Sequence, residues 1–200
     1  MVNRKTFGAV GYLVSFYIWW HVWSKSSTSS SVYIALWGVY VTRRTVQSVL
    51  VDIRSETSTD LFVLSTEWTY LWTFSSNIAG EVYSKNFQEP SATWVYLGCA
   101  VFIVAQLLNF YVHIVLRNTK LVHKKKTLPQ SAMFKWVSCP HYTFEVLSWV
   151  GFYLASQTTF AGLYTGMIAV ILMNWSREKH LFLENLKCGT PKHMLVPFIF

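Results

Sequence analysis

Residues 92–116 run for 25 positions without a single Asp, Glu, Lys or Arg. As a helix rising ~1.5 Å per residue, such a segment measures roughly 37 Å, enough to cross a bilayer with tilt. The rest of the chain agrees with a membrane setting. Hydrophobic residues make up 52% and charged residues 13% of its 200 positions, and the mean hydropathy is +0.31. That charged share is about half of what a soluble domain carries. With 10 Trp, 11 Tyr and 14 Phe to hide, so few charges could not cover a water-soluble surface. Disorder is excluded too, because disordered chains are polar and poor in aromatics. The expected fold class is therefore all-α, a polytopic transmembrane helical bundle.

Six apolar stretches can be drawn: 7–23, 32–51, 61–79, 92–116, 141–157 and 160–175. The second is interrupted by Arg43 and Arg44, and the third contains Glu67. Several fall below the ~20 residues of a free-standing span and must lean on neighbours. With the N-terminus cytosolic, one side receives Arg4, Lys5, Arg43, Arg44, Arg54, Arg117, Lys120, Lys124, Lys125, Lys126, Lys135, Arg177, Lys179, Lys187 and Lys192. The other side receives only Lys25 and Lys85. This asymmetry predicts about six spans with both termini cytosolic. It also accounts for the net charge of +8 without nucleic acid as a partner. The first stretch reads as a span rather than a cleaved signal: it is long, carries Trp19, Trp20 and Trp23, and lacks an A-x-A end. The sequon at Asn174 falls on the cytosolic border. No repeat, linker or composition break divides the chain, so residues 1–200 read as one domain. Cys99, Cys139 and Cys188 are too scattered for a disulfide framework, and Cys139 with His141 offers two metal ligands at most. No metal is expected.

Polar groups inside apolar spans are costly, which makes their positions informative. Asn109, His113 and Arg117 follow at i, i+4 and i+8 and share one helical face leading to the basic loop. They fit either an interhelical hydrogen-bonding stripe or the wall of a polar site. Arg117, Lys120, His123 and Lys124–Lys126 either fix topology against anionic lipid or form an electropositive mouth for a polyanion. Arg43 and Arg44 mark either a helix end or a hydrated cavity. At Ser138-Cys139-Pro140-His141-Tyr142-Thr143-Phe144-Glu145, Pro140 favours a break directly before a helix. Tyr142 and Glu145 then lie three apart on that helix. A phenol beside a carboxylate at the membrane border suits proton donation, and it equally suits an interfacial tyrosine with a glutamate at a helix N-terminus. There is no G-x-G-x-x-G, Walker A, H-E-x-x-H or G-x-S-x-G motif.

Residues 138–151 (SCPHYTFEVLSWVG) resemble the C-terminal signature of the steroid 5α-reductase superfamily, closest to its very-long-chain trans-2-enoyl-CoA reductase branch. Residues 102–117 (FIVAQLLNFYVHIVLR), 39–51 (VYVTRRTVQSVLV) and the closing 196–200 (VPFIF) resemble the same branch. The resemblance implies a helical bundle of the endoplasmic reticulum membrane that uses NADPH to reduce an activated carbon–carbon double bond. The implied substrate is a long- or very-long-chain trans-2-enoyl-CoA in fatty acid elongation, with other elongation-cycle membrane enzymes as partners. By the same resemblance Tyr142 matches the proton donor, and Glu145 matches a glutamate of the cofactor pocket that is the alternative acid. Arg44, Asn109, His113, Arg117, Lys120 and His180 match the cofactor side. A cation from another helix, with His113 the candidate, would assist Tyr142, since the neighbouring His141 should point away from it.

Some positions depart from the family pattern. His141 stands where asparagine is usual, and Leu181-Phe182-Leu183 follows Lys179-His180 where a tyrosine is usual. Thr190-Pro191 replaces a Tyr-Pro step. The chain is also shorter than family members, which carry a further N-terminal span and often a ubiquitin-like extension. The alternatives are a 3-oxo-5α-steroid 4-dehydrogenase, a polyprenol-type reductase, or a catalytically inactive membrane scaffold.

Overall fold

Helices occupy all six of the predicted apolar stretches. The structure, a computed structural model, describes residues 4–26, 31–51, 61–123, 128–186 and 193–194. The expectations placed on Lys124–Lys126, the Thr190-Pro191 step and 196–200 lie outside these. The long helices are α1 (Arg4–Lys25), α2 (Val32–Val46), α3 (Leu61–Val82) and α4 (Ala92–His123). After a short α5 (Ala132–Trp136) come α6 (Pro140–Ser156) and α7 (Thr159–Asn185). A π-helical turn, Gln47–Val51, continues α2. Neither the π turn nor α5 was expected. Two helix ends also differ from expectation, because hydropathy marks where a segment leaves an apolar medium and not where backbone hydrogen bonding stops. α4 runs on past residue 116 and α7 past 175, so Arg117, Lys120, Lys179 and His180 all ride on helices.

The interior is held by rings that connect helix to helix. Trp19 of α1 stacks on Trp37 of α2 with centroids 4.9 Å apart. Trp37 meets Trp149 of α6 at 5.5 Å, and Trp149 meets Tyr164 of α7 edge-on at 4.5 Å. Phe152 of α6 reaches Phe102 of α4. Offset and edge-on aromatic contacts of this kind add ~0.5–1.5 kcal/mol each beyond area burial.

α4 and α6 form the most extensive helix pair, and glycine sets how closely they approach. A Cβ on Gly151 would lie 2.5 Å from the Phe102 backbone nitrogen, and one on Gly98 would collide with the Ala155 backbone. Small residues at a crossing let two backbones meet where side chains would hold them apart. The close approach brings the polar residues of α4 against the first turns of α6.

The outward face of α4 is apolar, and its buried face includes polar residues. Its buried side carries Gln106 and Asn109 beside Phe102, Ala105 and Val112. Its outward side carries Tyr96 at 75% and Leu107 at 66% exposure, with Val104 and Tyr111 also exposed. Such an outward face suits an apolar surrounding. Among the described residues, two helical segments are long and apolar enough to cross a membrane: Ala92–Leu121, with mean hydropathy 2.1, and Thr159–Asn185, with 1.2.

Tight joints fix the antiparallel run of α6 and α7. Gln157 ends α6 in the left-handed conformation (φ 48°), and the Thr158 hydroxyl caps α7 by accepting from Ala161 N–H at 3.3 Å. Glu81 at the end of α3 accepts from Thr159 N–H (2.8 Å) and Phe160 N–H (3.1 Å), setting a carboxylate on the positive end of α7. Pro140 opens α6 in its first turn, as the sequence predicts. The preceding strand-like residues pair with the C-terminal segment: Ser138 N–H donates to His193 O and Cys139 N–H to Met194 O, both at 3.1 Å.

Candidate active site

Arg43, 8% exposed, stands one turn before the π-helical turn and organises a buried polar cluster. Its Nε donates to Gln106 Oε1 of α4. Its Nη1 donates to Gln47 Oε1 (2.7 Å) and Asn109 Oδ1 (2.8 Å), and its Nη2 to Glu145 Oε2 of α6 (2.7 Å). Asn109 Nδ2 in turn donates to Glu145 Oε2 (3.1 Å) and to the His141 carbonyl (2.7 Å). A guanidinium taken out of water needs such a full set of acceptors, since an unpaired buried charge is far costlier than a paired one. The π turn contributes directly, because it buries both Gln47 and Ser48. Single π turns inside helices occur frequently at functional sites. Gln47 Nε2 reaches the His113 ring nitrogens at 3.1 Å.

A second group adjoins the first through His141. The His141 ring lies 5.3 Å from that of His113 and 4.2 Å from that of Tyr142. Lys179 of α7 places Nζ 4.5 Å from the Tyr142 ring centroid and 3.5 Å from His141 Nε2. Trp175, also of α7, flanks Tyr142 at 6.4 Å. A third group ties the segment before α6 to α7: Ser138 Oγ lies 2.7 Å from His180 Nδ1, and His180 Nε2 lies 3.3 Å from Glu184 Oε1.

The structure thus brings together Asn109, His113 and Glu145, with Tyr142 alongside. It turns Arg44 the other way, to donate through Nε to the Tyr12 hydroxyl of α1 at 3.0 Å. Arg117 and Lys120 are exposed further along α4. His180 belongs to the Ser138 group. Two local expectations need correcting. His141 does not point away from Tyr142: the rings touch, because His141 at the start of the helix swings over its neighbour. The cation at Tyr142 is Lys179 rather than His113, because α7 continues far enough past the apolar stretch to carry it there.

Sequence reasoning missed Arg43 as the organiser, and it missed Gln47, Gln106 and Lys179. Gln106 and Gln47 had a signal, being a turn away from Asn109 and Arg43 inside apolar runs. Lys179 had none, since its contact depends on how α6 and α7 pack.

Three buried polar atoms in and beside the cluster have no partner among the described residues: Gln106 Nε2, Ser48 Oγ and His141 Nδ1. Buried donors of this kind are normally satisfied, so they suit a ligand that presents acceptors such as a carboxamide oxygen. Two guanidinium groups, Arg43 and Arg44, stand near the single Glu145 carboxylate, and Arg117 and Lys120 follow toward the end of α4. That balance suits a ligand carrying negative charge.

Comparison with known proteins gives a consistent picture. The family model described as 3-oxo-5-alpha-steroid 4-dehydrogenase matches residues 57–200. The chain is 28% identical over 180 residues to the very-long-chain enoyl-CoA reductase of Dictyostelium discoideum, covering 88% of this chain and 60% of that protein. It is 25% identical over 171 residues to the trans-2,3-enoyl-CoA reductase-like protein of Bos taurus, covering 80% and 47%. It is 24% identical over 168 residues to 3-oxo-5-alpha-steroid 4-dehydrogenase 1 of Rattus norvegicus, covering 80% and 63%. The chain therefore spans about half to two-thirds of the length of these relatives.

Proposed function

This chain belongs to the 3-oxo-5-alpha-steroid 4-dehydrogenase family, and from that premise we propose that it is an NADPH-dependent reductase of the 2,3 double bond of long- and very-long-chain trans-2-enoyl-CoA. Its setting is the endoplasmic reticulum membrane, where it spans the bilayer about six times as one domain with both termini cytosolic. The other enzymes of fatty acid elongation are its partners there. The outward apolar faces of α4 and the fifteen-to-two division of basic residues support this setting. A relative named very-long-chain enoyl-CoA reductase and one named trans-2,3-enoyl-CoA reductase-like favour the acyl substrate over a steroid.

The observation that carries the reading is the buried Arg43–Gln106–Asn109–Glu145 cluster set beside Tyr142 within apolar helices. NADPH, when bound, supplies the hydride that goes to Cβ of the substrate. Arg44, Asn109, His113, Arg117, Lys120 and His180 are the residues assigned to its polar and phosphate groups. Gln106 Nε2 and Ser48 Oγ, without partners among the described residues, add to this set. Tyr142 gives up its hydroxyl proton to Cα: the O–H bond breaks as the Cα–H bond forms, and solvent restores the proton afterwards. A phenol O–H positioned in this way can serve as a general acid. Glu145, fixed by Arg43 and Asn109, holds the polar wall in register and is the alternative acid.

The decisive experiment follows NADPH oxidation by the detergent-solubilised full chain with a long-chain trans-2-enoyl-CoA and with an enone steroid. Oxidation with the acyl-CoA is expected. Oxidation with the steroid alone would move the substrate to the other named branch of the family. A folded protein that binds no NADPH would be a scaffold, and the reading would fall.

A further inference from the structure

We propose that Lys179 is the positioning residue for proton transfer by Tyr142, clamping the ring and balancing the charge that the transfer leaves behind. The inference rests on the reductase reading above and goes further by assigning a residue from α7.

The geometry is a three-membered contact. Lys179 Nζ lies 4.5 Å above the Tyr142 ring and 3.5 Å from His141 Nε2, while the His141 and Tyr142 rings sit 4.2 Å apart. An ammonium only donates, so His141 Nε2 accepts and the ring proton resides on Nδ1. His141 is then neutral, which lets a cation sit beside it without repulsion. His141 itself is held from beneath, because its carbonyl accepts from Asn109 Nδ2 at 2.7 Å. The clamp is therefore anchored to the Arg43 cluster through one residue. Trp175, one helical turn before Lys179, also lies beside the Tyr142 ring, with centroids 6.4 Å apart.

The chemistry calls for a cation at this place. When the Tyr142 O–H bond breaks and Cα–H forms, the electron pair of the O–H bond stays on the phenol oxygen as a full negative charge. A cation over the ring stabilises that charge more than it stabilises the neutral phenol, so it acts on the transition state selectively. The cation–π contact present beforehand holds the ring without needing the hydroxyl. Lys179 itself remains exposed, so solvent screens part of the effect and also supplies the proton that restores the phenol. No redox partner beyond NADPH is required.

The experiment compares Lys179→Met, Lys179→Arg, Tyr142→Phe and the Lys179→Met/Tyr142→Phe double variant, as purified full chain in detergent with NADPH and a long-chain trans-2-enoyl-CoA. Lys179→Met should lower kcat by about 10- to 100-fold. KM for both substrates, and NADPH affinity measured separately by fluorescence, should stay within about twofold. Lys179→Arg should recover most of the lost turnover. In the Tyr142→Phe background, Lys179→Met should cost little more, because two residues acting in one step are not additive. Full turnover in Lys179→Met, no recovery by arginine, or loss of NADPH binding would each overturn the proposal while leaving the reductase reading in place. Wild-type protein that never oxidises NADPH, or Tyr142→Phe with unchanged turnover, would overturn both the proposal and the assignment beneath it.

Discussion

Arg43 and Glu145 lie 102 residues apart in the chain and 2.7 Å apart in space, with side chains only 7% and 13% exposed. They come from α2 and α6, and Asn109 of α4 bonds to both, so three helices meet on one ion pair. In an apolar bundle such a pair fixes how the helices are rotated about their axes. A rotation that separates the two charges leaves both unpaired.

Breaking this pair should cost more than breaking its neighbour. Arg43→Ala is expected to destabilise the folded protein by about 3–5 kcal/mol, because it strands Glu145 and three amide oxygens. Arg44→Ala, which loses the Tyr12 contact, should cost clearly less. Thermal unfolding in detergent, read by tryptophan fluorescence, would compare them. Equal losses would mean that Arg43 does not organise the cluster.

The α4–α6 crossing makes a prediction from glycine alone. Gly151→Ala sets a methyl 2.5 Å from the Phe102 backbone nitrogen, so the helices must separate at a cost of about 1–3 kcal/mol. Gly80→Ala is the control, with nothing within 4 Å of its added carbon. In the last turn of α3 that change should be neutral or stabilise by up to about 0.5–1 kcal/mol. A midpoint that falls as far for Gly80→Ala as for Gly151→Ala would contradict the close approach.

Tyr142→Phe keeps the ring between His141 and Lys179 and removes only the hydroxyl. NADPH affinity should therefore persist while turnover falls by roughly two to four orders of magnitude, the range for a lost general acid. Asn109→Ala should do the reverse and weaken NADPH binding first, because Asn109 belongs to the buried cluster. Isothermal titration beside steady-state kinetics separates the two. If both variants failed alike, the division between proton donor and cofactor wall would be wrong.

Orientation can be read by labelling. Single cysteines at Lys120 and Lys85, in a background lacking Cys99 and Cys188, should differ: an impermeant maleimide added from the cytosolic side should reach the first and spare the second. Native Cys139 should stay silent. It is buried, and burial pushes its thiol up from the ordinary value while the Lys179 charge opposes that rise. The reverse pattern would invert the topology.

The sequence alone determined the six long helices and their order. Apolar runs long enough to span or nearly span a bilayer cannot satisfy their backbone except as helix, so all six stretches could be placed from hydropathy. Pro140 fixed the start of α6 because it lacks the N–H that a helix interior requires. The spacing of Asn109 and His113 put them on one face, where Asn109 is buried and His113 half-buried. What only the tertiary structure decided is where each face points. Arg43 and Arg44 are adjacent and chemically identical, and a helix turns about 100° between them. Packing alone therefore sends one to Glu145 and the other to Tyr12. The same reason hid Lys179: its distance to Tyr142 follows from the Gln157 turn and from the length of α7 beyond its apolar part, and hydropathy reads neither.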